Sequence, residues 1–300
     1  YMEAKRDLAE GTILLFRMGD FYELFCDDAK RAAPMMDVVL TQRAGVPMCG
    51  VPYHAIQTYV ARLLEQGAKV AIAEQMEDPK LAKGLVKRAV TQVITPGTVL
   101  DDSVLSAGKS NFLVALVGHR ERFGLALLDF STGDFRVTEL ASQSALETEL
   151  HRLQPAECLV SSSQYGDWEK NGFPDGPRRM VWTPVEDWQF DREMADENLR
   201  RHFGVASLDG FGCRGLHLAV SAAGAVLEYA RTSLRRDAAH VTSLQTYQTD
   251  DGLILDRISQ RNLELVEPIF RDARNATLLS VLDQTVTPMG GRCLREWILR

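Results

Sequence analysis

Apolar and polar positions alternate in two rhythms along the 300-residue chain, and each rhythm predicts an element. Near the start, Ile13-Leu14-Leu15-Phe16 and the pairs Phe21-Tyr22 and Leu24-Phe25 are runs of β-formers on either side of Gly19-Asp20. Gly at the first position of a two-residue loop suits a type II′ turn, so two antiparallel strands are expected to meet there. Side chains alternate along a strand, so Phe21 and Glu23 project from one face close to the turn. The same residues also fit the i, i+3, i+4 spacing of a helix, in which Phe21 is a packing residue and Glu23 a solvated charge.

Past the hairpin the pattern predicts a short helix from Ala29 to about Met36, capped by Asp27 or Asp28 and carrying Pro34. Val38-Val39-Leu40 reads as a brief strand, 42–47 as a loop, and Met48 to His54 as an ordered turning segment punctuated by Gly50 and Pro52. Ile56, Val60, Leu63 and Leu64 recur at helical spacing, with Gly67 where a C-terminal cap belongs. Lys69–Ala73 and Ala89–Ile94 read as strands, which completes an α/β unit over 1–95.

The turn-rich stretch 96–110 reads as a linker to a second α/β unit over 111–245. Asn111–Val117 is apolar on both faces, as a central strand is. Strands Phe123–Phe130 and Asp134–Leu140 follow, joined by Ser131-Thr132-Gly133, then a helix Ser144–Leu153 and a strand Cys158-Leu159-Val160. Residues 161–190 read as loop with exposed Trp168, Trp182 and Trp188, and two helices cover 191–203 and 216–233, the second opening on Asp209-Gly210-Phe211-Gly212. From 246 to 300 the segments are amphipathic and helical, and their apolar faces find no partner in the remaining sequence. A face that its own chain does not cover implies more protein, so the chain is expected to stop inside a third, α-helical domain.

Composition narrows the class without naming a partner. With 45% hydrophobic and 25% charged residues, the chain is ordinary for a globular protein. Five scattered cysteines without a CxxC pair support neither a disulfide framework nor a zinc site, and reduced, cytosolic thiols are expected. No run reaches the roughly 18 apolar residues of a membrane span, and the opening Tyr1-Met2-Glu3-Ala4 is no signal peptide. The net charge of −7 speaks against a generic nucleic-acid binder, yet residues 1–100 balance 12 basic against 12 acidic side chains. Within 41–95, seven basic residues (Arg43, Arg62, Lys69, Lys80, Lys83, Lys87, Arg88) face four acidic ones, enough for a local basic face.

Two other chemistries compete for attention. Gly108-Lys109-Ser110 looks like the end of a phosphate-binding loop, but Ser103 stands where that motif needs Gly, and a strand follows instead of a helix. Asp129, Asp134, Glu147 and Glu149 are carboxylates on an α/β sheet and its helix, the raw material of a metal-dependent nuclease. Glu147 and Glu149 are two apart on a helix and point different ways, and Asp129 precedes a turn, where Asp is common. The six histidines form no ligand pair. A protein-interaction module without DNA affinity is the third class.

The run Leu14-Leu15-Phe16-Arg17-Met18-Gly19-Asp20-Phe21-Tyr22-Glu23-Leu24-Phe25 resembles the N-terminal mismatch-recognition domain of the MutS family of DNA mismatch repair proteins. Pro47–His54, Ala71–Gln75, Thr95–Thr98, Arg261–Glu264 and Leu282–Gly290 extend the likeness through the whole chain in order. The resemblance implies a mixed α/β architecture: a small α/β mismatch-recognition domain, a ribonuclease-H-like connector and the start of a helical core or lever domain. It implies that Phe21 enters the minor groove and stacks on a mispaired base, that Glu23 hydrogen-bonds that base, and that Met18, Tyr22, Arg43, Met48, His54 and Arg88 lie near the DNA. The partners it implies are duplex DNA with mispaired or unpaired bases, MutL and a second copy of the protein, in a cytoplasmic, nucleoid-associated setting. It assigns no catalytic residue or cofactor to this stretch, because the family's DNA-dependent ATPase, with its ATP and magnesium, lies beyond residue 300. One departure is a loop from Arg43 to Pro47 that is shorter than in some relatives.

The physics of the pair suits that role. An aromatic wedge costs unstacking, and the cost is lowest where pairing is already broken, so deformability is read in place of sequence. A carboxylate beside phosphates meets repulsion unless a base donor compensates it, so Glu23 is expected to penalise perfect duplex.

Overall fold

The computed structural model describes residues 1–76, 87–99, 110–234, 238–249, 255–270, 273 and 276–299. The chain divides into two compact units, residues 1–99 with 230–237, and residues 100–229 with 238–300. Both are mixed α/β.

In the first unit, a short helix α1 (Met2–Arg6) precedes β1 (Ile13–Met18) and β2 (Phe21–Phe25), which pair antiparallel with Met18 opposite Phe21. Gly19 has φ 61°, and Asp20 is not among the positive-φ residues, as a type II′ turn requires. Helix α2 (Cys26–Met36) begins earlier than the pattern suggested, and neither Asp27 nor Asp28 caps it. Asp28 is instead buried, and its carboxylate accepts from the Tyr1 hydroxyl (2.6 Å), Lys5 Nζ (2.8 Å) and the Leu14 amide (3.1 Å). Burial with this anionic partner holds the Tyr1 phenol far above its ordinary value. A carboxylate that ties three segments together is a tertiary role that capping rules do not reveal.

Residues 38–40 form no strand. The expected loop and turning segment are instead a hairpin, β3 (Thr41–Arg43) and β4 (Val46–Pro52), closed by Ala44 (φ 50°) and Gly45 (φ 79°). Two positive φ values in a two-residue loop make a type I′ turn. Pro47, Gly50 and Pro52 argue locally against a strand, but pairing with β2 on one side and β3 on the other supplies what propensity withholds. Tyr53–Ala55 is a 3₁₀ turn leading into α3 (Ile56–Glu65), which buries Val60, Leu63 and Leu64. Gly67 at φ 79° ends it in a Schellman arrangement, with the Gly67 amide on the Leu64 carbonyl and the Ala68 amide on that of Leu63. Strands β5 (Val70–Gln75) and β6 (Arg88–Ile94) complete a sheet of order β3-β4-β2-β1-β5-β6, with only β1 and β5 parallel. Leu14, Ala71 and Ala73 bury one face of this sheet against Tyr1, Ala4, Leu8 and Phe16, while α2 and α3 pack on β4.

In the second unit, β7 (Phe112–His119), β8 (Arg122–Asp129) and β9 (Asp134–Leu140) form an antiparallel meander. After α4 (Gln143–Leu153), β10 (Glu157–Ser161) joins β7 in parallel. Residues 161–190 are not a loop. Ser161 caps α5 (Ser162–Asn171), β11 (Val181–Val185) joins β10 in parallel, and Asp187–Phe190 is a 3₁₀ turn. Helix α5 buries no residue fully, so its polar sequence carries little helical signal. Trp168 and Trp182 are half-buried on the core, 5.5 Å apart and bracketed by Phe173, whereas Trp188 is exposed as expected.

Helices α6 (Arg192–Phe203) and α7 (His217–Leu234) follow, and Asp209–Phe211 is a separate 3₁₀ turn before α7. Strand β12 (Gln245–Thr246) pairs with β9, which gives the order β11-β10-β7-β8-β9-β12, the ribonuclease-H-like arrangement expected of this unit. Among the described residues, helices α8 (Arg257–Asn262), α9 (Leu278–Leu282) and α10 (Pro288–Leu299) follow, with Val281, Val286 and Trp297 exposed.

Candidate nucleic-acid interface

The β1–β2 hairpin presents one face to α2, and the other, which Tyr1 covers toward Phe16 and Phe25, to solvent near its turn. On the solvent face Phe21 stands opposite Met18 of β1 and Pro52 of β4, and the residue is 49% exposed. Two residues on, Glu23 stands opposite Phe16 and Gly50. Its side chain is only 14% exposed, and its carboxylate accepts from Arg43 Nη1 at 3.3 Å, an ion pair whose arginine is 61% exposed. Gly50 lies beside the stem of the Glu23 side chain. A Cβ placed there would lie 3.6 Å from Glu23 Cγ and 3.4 Å from the Tyr22 carbonyl oxygen. Met48, half-buried, faces Phe25 further along the same sheet face.

Arg88 reaches this region from β6. Its Nε donates to the Arg17 carbonyl at 2.6 Å, and its guanidinium lies 5.5 Å from the centre of the Phe16 ring. His54 is exposed in the 3₁₀ turn after Pro52, edge-on to Tyr53. The fold therefore brings Phe21, Met18, Glu23 and Arg43 together, with Met48, His54 and Arg88 around them.

Tyr22 belongs elsewhere. It projects to the other face, is buried, and donates its hydroxyl to Glu74, so its side chain offers nothing to a groove on the Phe21 side. Burial, reinforced by the Glu74 hydrogen bond, pushes its phenol up to about 12. Of the other basic residues, Arg62 donates to the Met36 carbonyl at 2.7 Å, and Lys80 and Lys83 lie outside the described residues. Pattern reading missed Arg17 and Tyr53, which flank the turn from behind. The guanidinium of Arg17 is 4.0 Å from the centre of the Tyr53 ring. Strand alternation offered a clue, since it sets Arg17 opposite Tyr22.

The rival carboxylates do not form a metal site. Asp129 is buried, accepting from the Ser131 amide (3.0 Å), the Ser131 hydroxyl (2.6 Å) and the Asn111 amide (3.3 Å), so it organises a turn. Asp134 is paired with Arg136, which also donates to Glu296 at 2.8 Å, and burial holds the Asp134 carboxyl above its ordinary value despite that pairing. Glu149 is buried against Arg152, while Glu147 accepts from the exposed Gln143 at the surface of α4. Among the described residues no group of three His, Cys, Asp or Glu could hold a metal ion. The nuclease reading is thus unsupported. Gly108 and Lys109 of the phosphate-loop look-alike lie outside the described residues, and no described helix is long and apolar enough to cross a membrane.

Family models match the chain in three consecutive stretches: MutS domain I over residues 1–103, MutS domain II over 111–244 and MutS domain III over 259–300. The chain is 43% identical to the DNA mismatch repair protein MutS of Protochlamydia amoebophila, over 98% of this chain and 34% of that protein. It is 42% identical to the protein of the same name from Methanosarcina acetivorans, over 100% of this chain and 35% of that one. The corresponding protein of Syntrophobacter fumaroxidans is 44% identical, over 99% and 34%. The chain spans about a third of the length of the curated relatives it matches.

Proposed function

This chain belongs to the MutS family, and from that premise we propose that it recognises mispaired or unpaired bases in duplex DNA for mismatch repair, with the β1–β2 hairpin tip as the reading element. The observation that carries the proposal is the half-exposed Phe21 ring beside a two-residue turn, with a carboxylate two positions along the same face. A half-exposed aromatic residue beside the turn, flanked in register by Met18 and Pro52, is placed to enter a minor groove and stack where a base pair is already weak. Glu23 accepts a hydrogen bond from the displaced base. In the free protein Arg43 occupies that carboxylate, so engagement exchanges Arg43 for the base and releases a largely exposed guanidinium toward a phosphate. Met18, Met48, His54 and Arg88 line the approach.

The second unit, in the same proposal, passes the bound state on to the ATP- and magnesium-dependent part of the family's machinery and offers MutL a surface. Self-association and DNA-dependent ATP hydrolysis belong to that machinery too, acting in the cytoplasm.

The test is equilibrium binding of the complete protein to a G·T-mismatched and a matched duplex at fixed salt, with and without Phe21→Ala. An aromatic ring buries 150–250 Å² in total, so covering the exposed half contributes about 2 kcal/mol at roughly 25 cal/mol per Å². Mismatch affinity should therefore fall roughly 30-fold, with matched affinity little changed. A mismatch preference that survives Phe21→Ala makes Phe21 a packing residue and overturns the proposal.

A further inference from the structure

We infer that Arg17 and Tyr53 are positioning residues that hold the hairpin tip rigid from behind, so that the Phe21 ring is presented in one orientation. This inference rests on the reading of Phe21 as the wedge. Both strands of the hairpin are paired within the sheet, so the element that remains to be held is the two-residue turn next to the half-exposed Phe21. Here the turn is held at both of its residues. Arg17 Nε donates to the Gly19 carbonyl oxygen, and the Tyr53 amide donates to the Asp20 carbonyl oxygen at 3.0 Å. The same guanidinium lies between two rings, 4.0 Å from the centre of Tyr53 and 5.3 Å from that of Tyr22. Tyr22 is in turn fixed by its hydroxyl on Glu74. A continuous strut thus runs from Glu74 of β5 through Tyr22 and Arg17 to Tyr53, and it carries both carbonyls of the turn. From the other face Arg88 fastens the Arg17 backbone.

Arginine suits this position better than lysine. Its planar group stacks between rings while its edge still donates, whereas an ammonium group can do only the latter. Tyr53 is 46% exposed, so its ring is not retained to fill a core. The functional gain is preorganisation: a wedge already aligned loses less freedom on entering the groove, and that benefit accrues only where the wedge enters.

The experiment measures binding of the complete protein to mismatched and matched duplex for Arg17→Lys, Tyr53→Leu and Tyr53→Phe, each alone and in a Phe21→Ala background. Loss of the stack in Arg17→Lys or Tyr53→Leu should weaken mismatch binding about five- to tenfold, with matched binding and the thermal melting point little changed. Tyr53→Phe, which keeps the ring, should retain the wild-type ratio. In the Phe21→Ala background the same changes should cost nothing further, because there is no ring left to position. If Phe21→Ala abolishes discrimination while Arg17→Lys and Tyr53→Leu leave it intact, this inference alone is wrong. If Phe21→Ala leaves discrimination intact, the wedge reading has failed first. Equal losses on matched and mismatched duplex, or losses that persist without Phe21, would make the two residues direct DNA contacts and overturn the positioning role.

Discussion

Replacing Glu23 by Gln keeps the shape of the side chain and one acceptor oxygen, but removes the charge that Arg43 pairs with at 3.3 Å. On the proposed reading, a matched duplex brings phosphates toward a carboxylate that finds no displaced base to accept from, and that carboxylate also retains Arg43. In Glu23→Gln the guanidinium is released and one more phosphate can be neutralised. The effect on folding should be small, because an ion pair with a 61% exposed arginine contributes only about 0–1 kcal/mol. The effect on matched DNA is larger. Each added phosphate contact steepens the slope of log K against log salt by about 0.9, which amounts to about an eightfold gain at 0.1 M salt relative to 1 M. Mismatch affinity should rise less, since Gln serves the base more weakly than a carboxylate does, so discrimination narrows by up to the same factor. The assay is a titration of the complete protein with matched and mismatched duplex at several salt concentrations. Arg43→Ala in the Glu23→Gln background should return the slope to its original value. A matched-duplex affinity that stays level or falls, with an unaltered slope, refutes both the repulsion argument and the release of Arg43.

The remaining expectations concern the scaffold. The Tyr22 phenol stands at about 12 in the folded protein against an ordinary 10.0, through burial and then its bond to Glu74. A group raised in this way contributes stability that is complete below the lower value and is lost as pH climbs through the higher one. The melting-point difference between wild type and Tyr22→Phe should therefore shrink across pH 10.0 to about 12; a difference that stays constant over that interval excludes the assignment. In the second unit, the buried Glu149 carboxylate takes two bonds from Arg152, at 2.8 and 2.6 Å, and one from the Tyr247 hydroxyl at 2.6 Å. Glu149→Ala should cost about 3–5 kcal/mol in urea denaturation, since it leaves a largely buried guanidinium unpaired. A loss below about 1 kcal/mol would show that the carboxylate is not structural.

Local sequence determined what depends on a few neighbouring residues. Gly19 marked the β1–β2 turn because few other residues adopt its positive φ readily, and strand alternation then placed Phe21 and Glu23 on one face without further information. Gly67 ended α3 for the same backbone reason, and the continuous apolar run of β7 announced a strand covered on both faces. Motif likeness extended this to the family, and suggested the roles here proposed for Phe21 and Glu23, which spacing alone left open. What local sequence did not reveal was decided by contacts between residues far apart in the chain. Pro47, Gly50 and Pro52 lie in a strand because β2 and β3 pair with it, and the polar α5 is a helix beside β10 and β11. Asp28 became a buried junction for Tyr1, Lys5 and Leu14 in place of a helix cap. At Gly124 in β8 a Cβ would stand 2.2 Å from the Leu218 backbone, so the smallness of this residue is what allows α7 to approach. The pairing of Glu23 with Arg43 and the seating of Arg17 between Tyr22 and Tyr53 are of the same kind. Backbone torsions and side-chain alternation are properties of adjacent residues and can be read in order, whereas the partner of a charge or a ring is known only once the sheet has brought distant segments together.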